Sequence, residues 1–335
     1  MAIADMRWTS WPGGLSVLLA LASPAGAAPP VLEIPIACDM RSVCSVQKYF
    51  DLDPGPERID YACGRLTNDR HDGTDLRLPD FPAMDRGVAV IAAAPGVVKA
   101  LRDGMPDISV KEGGAEAIKG KEAGNGVVID HGDGWETQYG HMKQGSVAVR
   151  RGQQVEVGQT LGLVGLSGET EYPHVHFGVR YQGRALDPFV GSAESFTCGD
   201  ALRPLWSEAA LAQIPYRPTG VLVTGFAADR PEADAARRGA YAAAALPSDA
   251  QALVFWADTW GVMQGDVQRF AIAGPDGQEV HRSESVVQKS NISWFAFSGK
   301  RRPEAGWAPG QYTGTYELVR DGQPAASASG TVTIQ

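Results

Sequence analysis

The chain has 335 residues, room for two domains of ordinary size, with apolar and charged residues in the balance of a soluble globular protein. It carries 30 Lys and Arg against 39 Asp and Glu, a net charge of -9, and no basic run. That argues against nucleic acid or an anionic membrane surface as a partner.

In chain order, residues 1–27 read as a signal peptide. Arg7 precedes the apolar run Leu15–Ala22, and Ala25-Gly-Ala27 suits cleavage before Ala28. The run is too short to span a bilayer, so the mature chain is expected to be exported, periplasmic or extracellular, with no transmembrane span. Residues 28–60 hold Pro29, Pro30, Pro35, Pro54 and Pro56 and predict an irregular lead-in. In an exported chain the four cysteines, Cys38, Cys44, Cys63 and Cys198, suggest two disulfides. Four cysteines allow three pairings. Cys38–Cys44 with Cys63–Cys198 is preferred, because the first closes a short loop and the second ties the segment before His71 to the end of the next domain.

Residues 61–200 predict an antiparallel β domain. Candidate strands lie at 88–94, 96–101, 126–130, 135–139, 146–150, 154–157 and 160–164, with glycine turns between them. Residues 103–124, rich in glycine and charge, predict a long exposed loop. Tyr172-Pro-His-Val-His-Phe-Gly-Val-Arg180 predicts a strand. His174 and His176, two apart, would share one face while Val175, Phe177 and Val179 fill the other. Residues 201–218 read as a linker. From 219 to 335, strands near 222–224, 252–257, 268–272, 292–297, 312–318 and 330–334, with turns at Gly274-Pro-Asp-Gly277, Pro309-Gly310 and Asp321-Gly322, predict a small β-sandwich. The Ala-rich stretch 227–245 suits either a short helix or an exposed insertion. The fold class is therefore all-β: an antiparallel β domain followed by a small β-sandwich.

Six histidines occur, and five fall between His71 and His176. His71-Asp-Gly-Thr-Asp75 places an imidazole and a carboxylate four residues apart. Gly73 and Thr74 disfavour a helix there, so a turn into a strand is expected. Two imidazole nitrogens, one carboxylate oxygen and a water form a common catalytic zinc set, and no Cys stands in ligand spacing to close the fourth position.

The ordered set His71-x-x-x-Asp75, Ile129-Asp-His131-Gly132, Tyr139-Gly-His141, Val155-Glu-Val-Gly158…Gly162…Gly165 and His174-Val-His176 resembles the lysostaphin-type zinc endopeptidases of bacterial peptidoglycan over roughly residues 60–190. The resemblance implies Zn2+ held by His71, Asp75 and His176, with His141 and His174 as metal-free catalytic histidines and peptidoglycan peptide cross-links as substrate. His131 matches a structural position. Three positions depart from the pattern. Asn68 is the nearest counterpart of a Tyr or Asn that some members carry before the first His. Met142 stands where Leu is frequent, and Gly178 where Glu is common. None removes a ligand. The alternative is a catalytically silent wall-binding or amidase-activating module of the same fold; such relatives typically lose ligands, and this chain keeps them.

Overall fold

The computed structural model describes residues 28–192 and 195–335. The expected signal peptide, 1–27, lies outside the described residues.

Ten strands lie in the first part of the chain: β1 (Ser45–Lys48), β2 (Thr74–Arg77), β3 (Ala89–Ile91), β4 (Gly96–Arg102), β5 (Asn125–Gly132), β6 (Trp135–Met142), β7 (Gln154–Val155), β8 (Thr160–Leu163), β9 (His174–Tyr181) and β10 (Arg184–Leu186). One mixed-length antiparallel sheet runs β1-β2-β9-β6-β5-β4-β7, with β10 beside β9; β3 and β8 form a separate pair. The sequence alternation sets the faces. Val175, Phe177 and Val179 of β9 are fully buried with Val127 and Ile129 of β5 and Leu76 of β2, leaving the intervening positions for the other face. Short helices punctuate the strands. In α1 (Phe81–Arg86), Asp80 caps by accepting from the Ala83 N–H at 2.8 Å, Pro82 sits in the first turn, and Gly87 ends the helix at φ 82°.

The second part holds β11 (Gly220–Ala227), β12 (Ala245–Leu246), β13 (Ala252–Val262), β14 (Val267–Ala273), β15 (Glu279–Val286), β16 (Asn291–Arg301), β17 (Gly310–Arg320) and β18 (Gln323–Ile334). A three-stranded sheet, β11-β13-β16, faces a five-stranded sheet, β12-β18-β17-β14-β15. Phe255, Phe226, Phe270, Tyr316, Leu318 and Val332 share the core between them, the layered arrangement of a sandwich. On β13, Phe255 points into this core. Trp256 points the other way, against Ala227 at the end of β11 and Ala236 of the short helix that the Ala-rich insertion supplies at Ala233–Arg237.

Several expectations change. The lead-in is not irregular throughout: it supplies β1, and Leu32, Ile34 and Ile36 are buried in the first core. The segment expected as a linker likewise carries a helix at Glu208–Leu211 and buries Leu205, Trp206 and Ile214 in that core. Ser146–Arg150 is not a strand. Its donors go to unrelated partners, Ser146 N–H to the Lys143 carbonyl, Val147 N–H to the Asp103 carboxylate and Ala148 N–H to the Leu161 carbonyl, so no ladder forms. The loop 103–124 includes a helical turn at Val110–Gly113 and a 3₁₀ turn at Ala115–Ile118. It is pinned at its base, where Asp107 accepts from the Gln144 and Leu166 N–H groups at 2.9 and 2.8 Å. The cysteines pair as Cys38–Cys44 and Cys63–Cys198. Among the described residues no helix is long and apolar enough to cross a membrane.

Candidate metal and catalytic site

The central strands bring the histidines together by register. Across β1, β2, β9 and β6, Lys48 lies opposite Asp75, Asp75 opposite His176, and His176 opposite Gly140, forming one row through four strands. His71 sits on the turn before β2, as expected. Gly73 within that turn has a steric role: a Cβ there would stand 2.6 Å from His176 Nε2 and 2.7 Å from the Phe177 carbonyl.

Asp75 is the hub. Its Oδ1 lies 3.0 Å from His71 Nε2, 2.9 Å from His176 Nδ1 and 3.4 Å from His174 Nε2, and the residue is 2% exposed. Donor atoms of His71, Asp75 and His176 all lie within 4.8 Å of one another. Two imidazole nitrogens and one carboxylate oxygen at that spacing can hold a zinc-sized cation.

The partners of the remote ring nitrogens set the tautomers. His71 Nδ1 donates to the Tyr49 carbonyl at 2.7 Å, leaving Nε2 with its lone pair toward Asp75. His176 Nε2 faces Asp72 Oδ1 at 3.2 Å, leaving Nδ1 for the centre of the cluster. Asp72 had no sequence signal; only folding brings residue 72 to residue 176. His141 Nδ1 donates to the Ser167 carbonyl at 2.7 Å, and His174 Nδ1 to the Tyr172 carbonyl at 3.0 Å. His141 is thus left with Nε2 for the cleft, His174 Nε2 faces Asp75 Oδ1 at 3.4 Å, and the two rings stand 4.6 Å apart. His141 adopts a left-handed φ of 57°, uncommon outside glycine and typical of constrained functional positions.

Charge states follow from this packing. Burial, reinforced by His174 and His176, holds the His141 imidazole well below its usual value, so it stays neutral. Burial opposes protonation of His176 too, yet its hydrogen bonds to Asp72 and Asp75 raise it to about 9 when no metal competes. Burial alone would raise the Asp75 carboxyl, but His71 and His174 keep it well below the carboxylate range. The site opens into a cleft of about 660 Å³ whose walls include Lys48, Arg180 and Glu122, and Ile292 and Ser293 of the sandwich.

Of the sequence-derived site residues, His71, Asp75, His141, His174 and His176 all line this cleft. His131 does not; its ring bonds the Pro95 carbonyl at 2.7 Å and the Thr137 hydroxyl at 2.8 Å. His281 bonds the Ser298 hydroxyl on the sandwich.

The antiparallel sheet thus carries a His-Asp-His cluster that could hold a metal ion, with two further imidazoles beside it. Residues 69–188 match the model described as peptidase family M23, and this stretch is a lysostaphin-type M23 domain. Relatives match part of the chain. The cell division protein DipM of Caulobacter vibrioides is 32% identical over 121 residues, 36% of this chain and 16% of DipM. The peptidoglycan DD-endopeptidase ShyA of Vibrio cholerae is 32% identical over 117 residues, 35% of this chain and 22% of ShyA. The murein hydrolase activator EnvC of Escherichia coli is 38% identical over 100 residues, 30% of this chain and 22% of EnvC. The chain thus spans less than a quarter of the length of these relatives. Among solved structures, a variant of the catalytic domain of the prophage-encoded M23 protein EnpA from Enterococcus faecalis aligns with a TM-score of 0.32 at 24% identity, covering 45% of this chain and 94% of that one.

Proposed function

We propose that the chain is an exported zinc-dependent endopeptidase that hydrolyses peptide cross-links of bacterial peptidoglycan. The observation that carries this reading is the convergence of His71 Nε2, Asp75 Oδ1 and His176 Nδ1 beside two further imidazoles, His141 and His174, in one cleft. The N, N, O donor set, with no fourth ligand grouped with it among the described residues, fits a zinc that keeps an open position. When bound, zinc would polarise the scissile carbonyl and acidify a water. The chain's own residues then supply the proton traffic. Nε2 of His141 or His174 accepts the proton of the attacking water and returns it to the leaving amine. The other imidazole, fixed through its Nδ1–H, orients the water or hydrogen-bonds the developing oxyanion. Asp72 holds the His176 ring in the tautomer that turns Nδ1 inward. The endopeptidase names among the relatives support peptidoglycan as the substrate. Two disulfides suit an oxidising compartment.

A second reading, an activator of other wall hydrolases, draws on the relative named as an activator. The complete donor set weighs against it. Dye release from labelled sacculi decides: the zinc-loaded protein is expected to release dye, to stop on chelation and to resume on zinc addition. Release only when a separate amidase is present would instead make the chain an activator.

A further inference from the structure

β1 is not a regular strand where it meets the site. Its register runs Val46 opposite Leu76 and then Lys48 opposite Asp75, so Gln47 is the extra residue of a β-bulge. Bulges re-aim side chains and gather beside active sites. Here the bulge turns Lys48 into the cleft, next to the carboxylate that anchors the histidine cluster. The Lys48 side chain is only 17% exposed. Its nearest carboxylate oxygen, Asp75 Oδ2, stands 3.8 Å away, beyond hydrogen-bond range, and Asp75 is already shared among three imidazoles. The Nζ lies 5.4 Å from the centre of the Tyr172 ring, and the Tyr172 hydroxyl is buried with no hydrogen-bond partner among the described residues. Other cations of the cleft are differently placed. Arg180 donates to Gln138 and pairs with Asp72, while Arg70 is almost fully exposed beside Asp69. An ammonium carries three donors, and its contacts with Asp75 and Tyr172 leave at least one for an anion entering the cleft.

We propose that Lys48, aimed by the bulge at Gln47 and walled by Tyr172, binds a carboxylate of the substrate, so that the cleft selects peptides bearing a free carboxylate within one or two residues of the cleaved bond. The inference rests on the endopeptidase reading. Its reach follows from geometry: Lys48 abuts Asp75, and one extended residue spans about 3.3–3.6 Å. Arg77 backs the arrangement. Its guanidinium lies 4.1 Å from the centre of the Tyr172 ring and pairs with Gln47 and Asp258.

The test uses the full zinc-loaded chain and a fluorescent, uncleavable D-amino-acid peptide in two forms, C-terminal carboxylate and C-terminal amide. Wild type is expected to bind the acid roughly tenfold or more tightly than the amide, the size of a lost charge-assisted hydrogen bond. Lys48→Gln should erase that ratio while keeping its zinc, and Lys48→Arg should restore most of it. Equal binding of acid and amide by wild type, or an unchanged ratio in Lys48→Gln, overturns the proposal. Loss of zinc in Lys48→Gln also overturns it, since Lys48 would then be a support for Asp75 alone. Hydrolysis of a cleavable version is read in parallel. Acid-selective binding without hydrolysis would leave the anion subsite standing and remove the endopeptidase reading.

Discussion

At the scale of single residues, the account assigns different losses to neighbouring side chains. Asp75→Ala and His176→Ala should each abolish stoichiometric zinc, measured by elemental analysis after dialysis; full occupancy in either would refute the ligand set. His141→Ala and His174→Ala should keep zinc and fold while losing about 10²–10⁴-fold in turnover. Asp72→Asn touches no proposed ligand atom, but it removes the carboxylate facing His176 Nε2 at 3.2 Å. It should weaken zinc binding by about 10–100-fold in a competitive chelator titration. Away from the site, Asp187 offers a pH signature. Its Oδ2 is buried without a hydrogen-bond partner among the described residues, and burial raises the carboxyl from 3.8 to about 7. The folded state therefore holds a proton that the unfolded state has released, and stability falls as pH rises between about 4 and 7. Melting temperatures across that window should decline less steeply in Asp187→Asn than in wild type. Parallel curves would mean that Asp187 ionises normally.

At the scale of elements, the pieces legible in the sequence were those whose side chains alternate. β9 announced itself because Val175, Phe177 and Val179 interleave with two histidines and a glycine, and β5 through Val127 and Ile129. β15 was missed because Glu279–Val286 is polar on both faces and mostly exposed, so no alternation marks it. β1 was missed because a bulge breaks its period and prolines precede it. The clustering of His71, Asp75, His141, His174 and His176 was legible because these residues form an ordered motif. Their supports were not: Asp72, Lys48, the Tyr49 carbonyl and the Ser167 carbonyl reach the site only through strand register and turns. Gly73 illustrates the same limit. A glycine in a turn is unremarkable in sequence, yet here a Cβ would collide with the His176 ring. Gly73→Ala should push that ring aside and lower zinc affinity with little change in the sheet, visible as lost zinc against an unchanged far-ultraviolet circular dichroism spectrum.

At the scale of the whole molecule, the sandwich is joined to the site rather than appended to it. Asp258 on β13 is fully buried between Arg77, at 3.4 Å, and Arg237, which it binds through both oxygens at 2.7 and 2.8 Å. Arg77 lies two residues along β2 from Asp75. Trp260 packs in the first core, and Ile292 and Ser293 line the cleft. Asp258→Ala would leave two buried or half-buried guanidiniums facing each other and should cost about 3–5 kcal/mol in denaturant unfolding. A chain ending at Pro218 should likewise melt earlier than the full chain, because it uncovers Arg77 and removes Trp260. An equal melting temperature would make the two parts independent. Cutting of cross-links in this joined cleft, as proposed above, is read by mass spectrometry of purified cross-linked muropeptide dimers. Incubated with zinc-loaded wild-type protein, the dimers should convert to monomers whose summed mass exceeds the dimer by one water. The same dimers should persist with the zinc-retaining His174→Ala protein. Dimers left intact by the zinc-loaded wild type, or cut equally by that variant, would contradict the account.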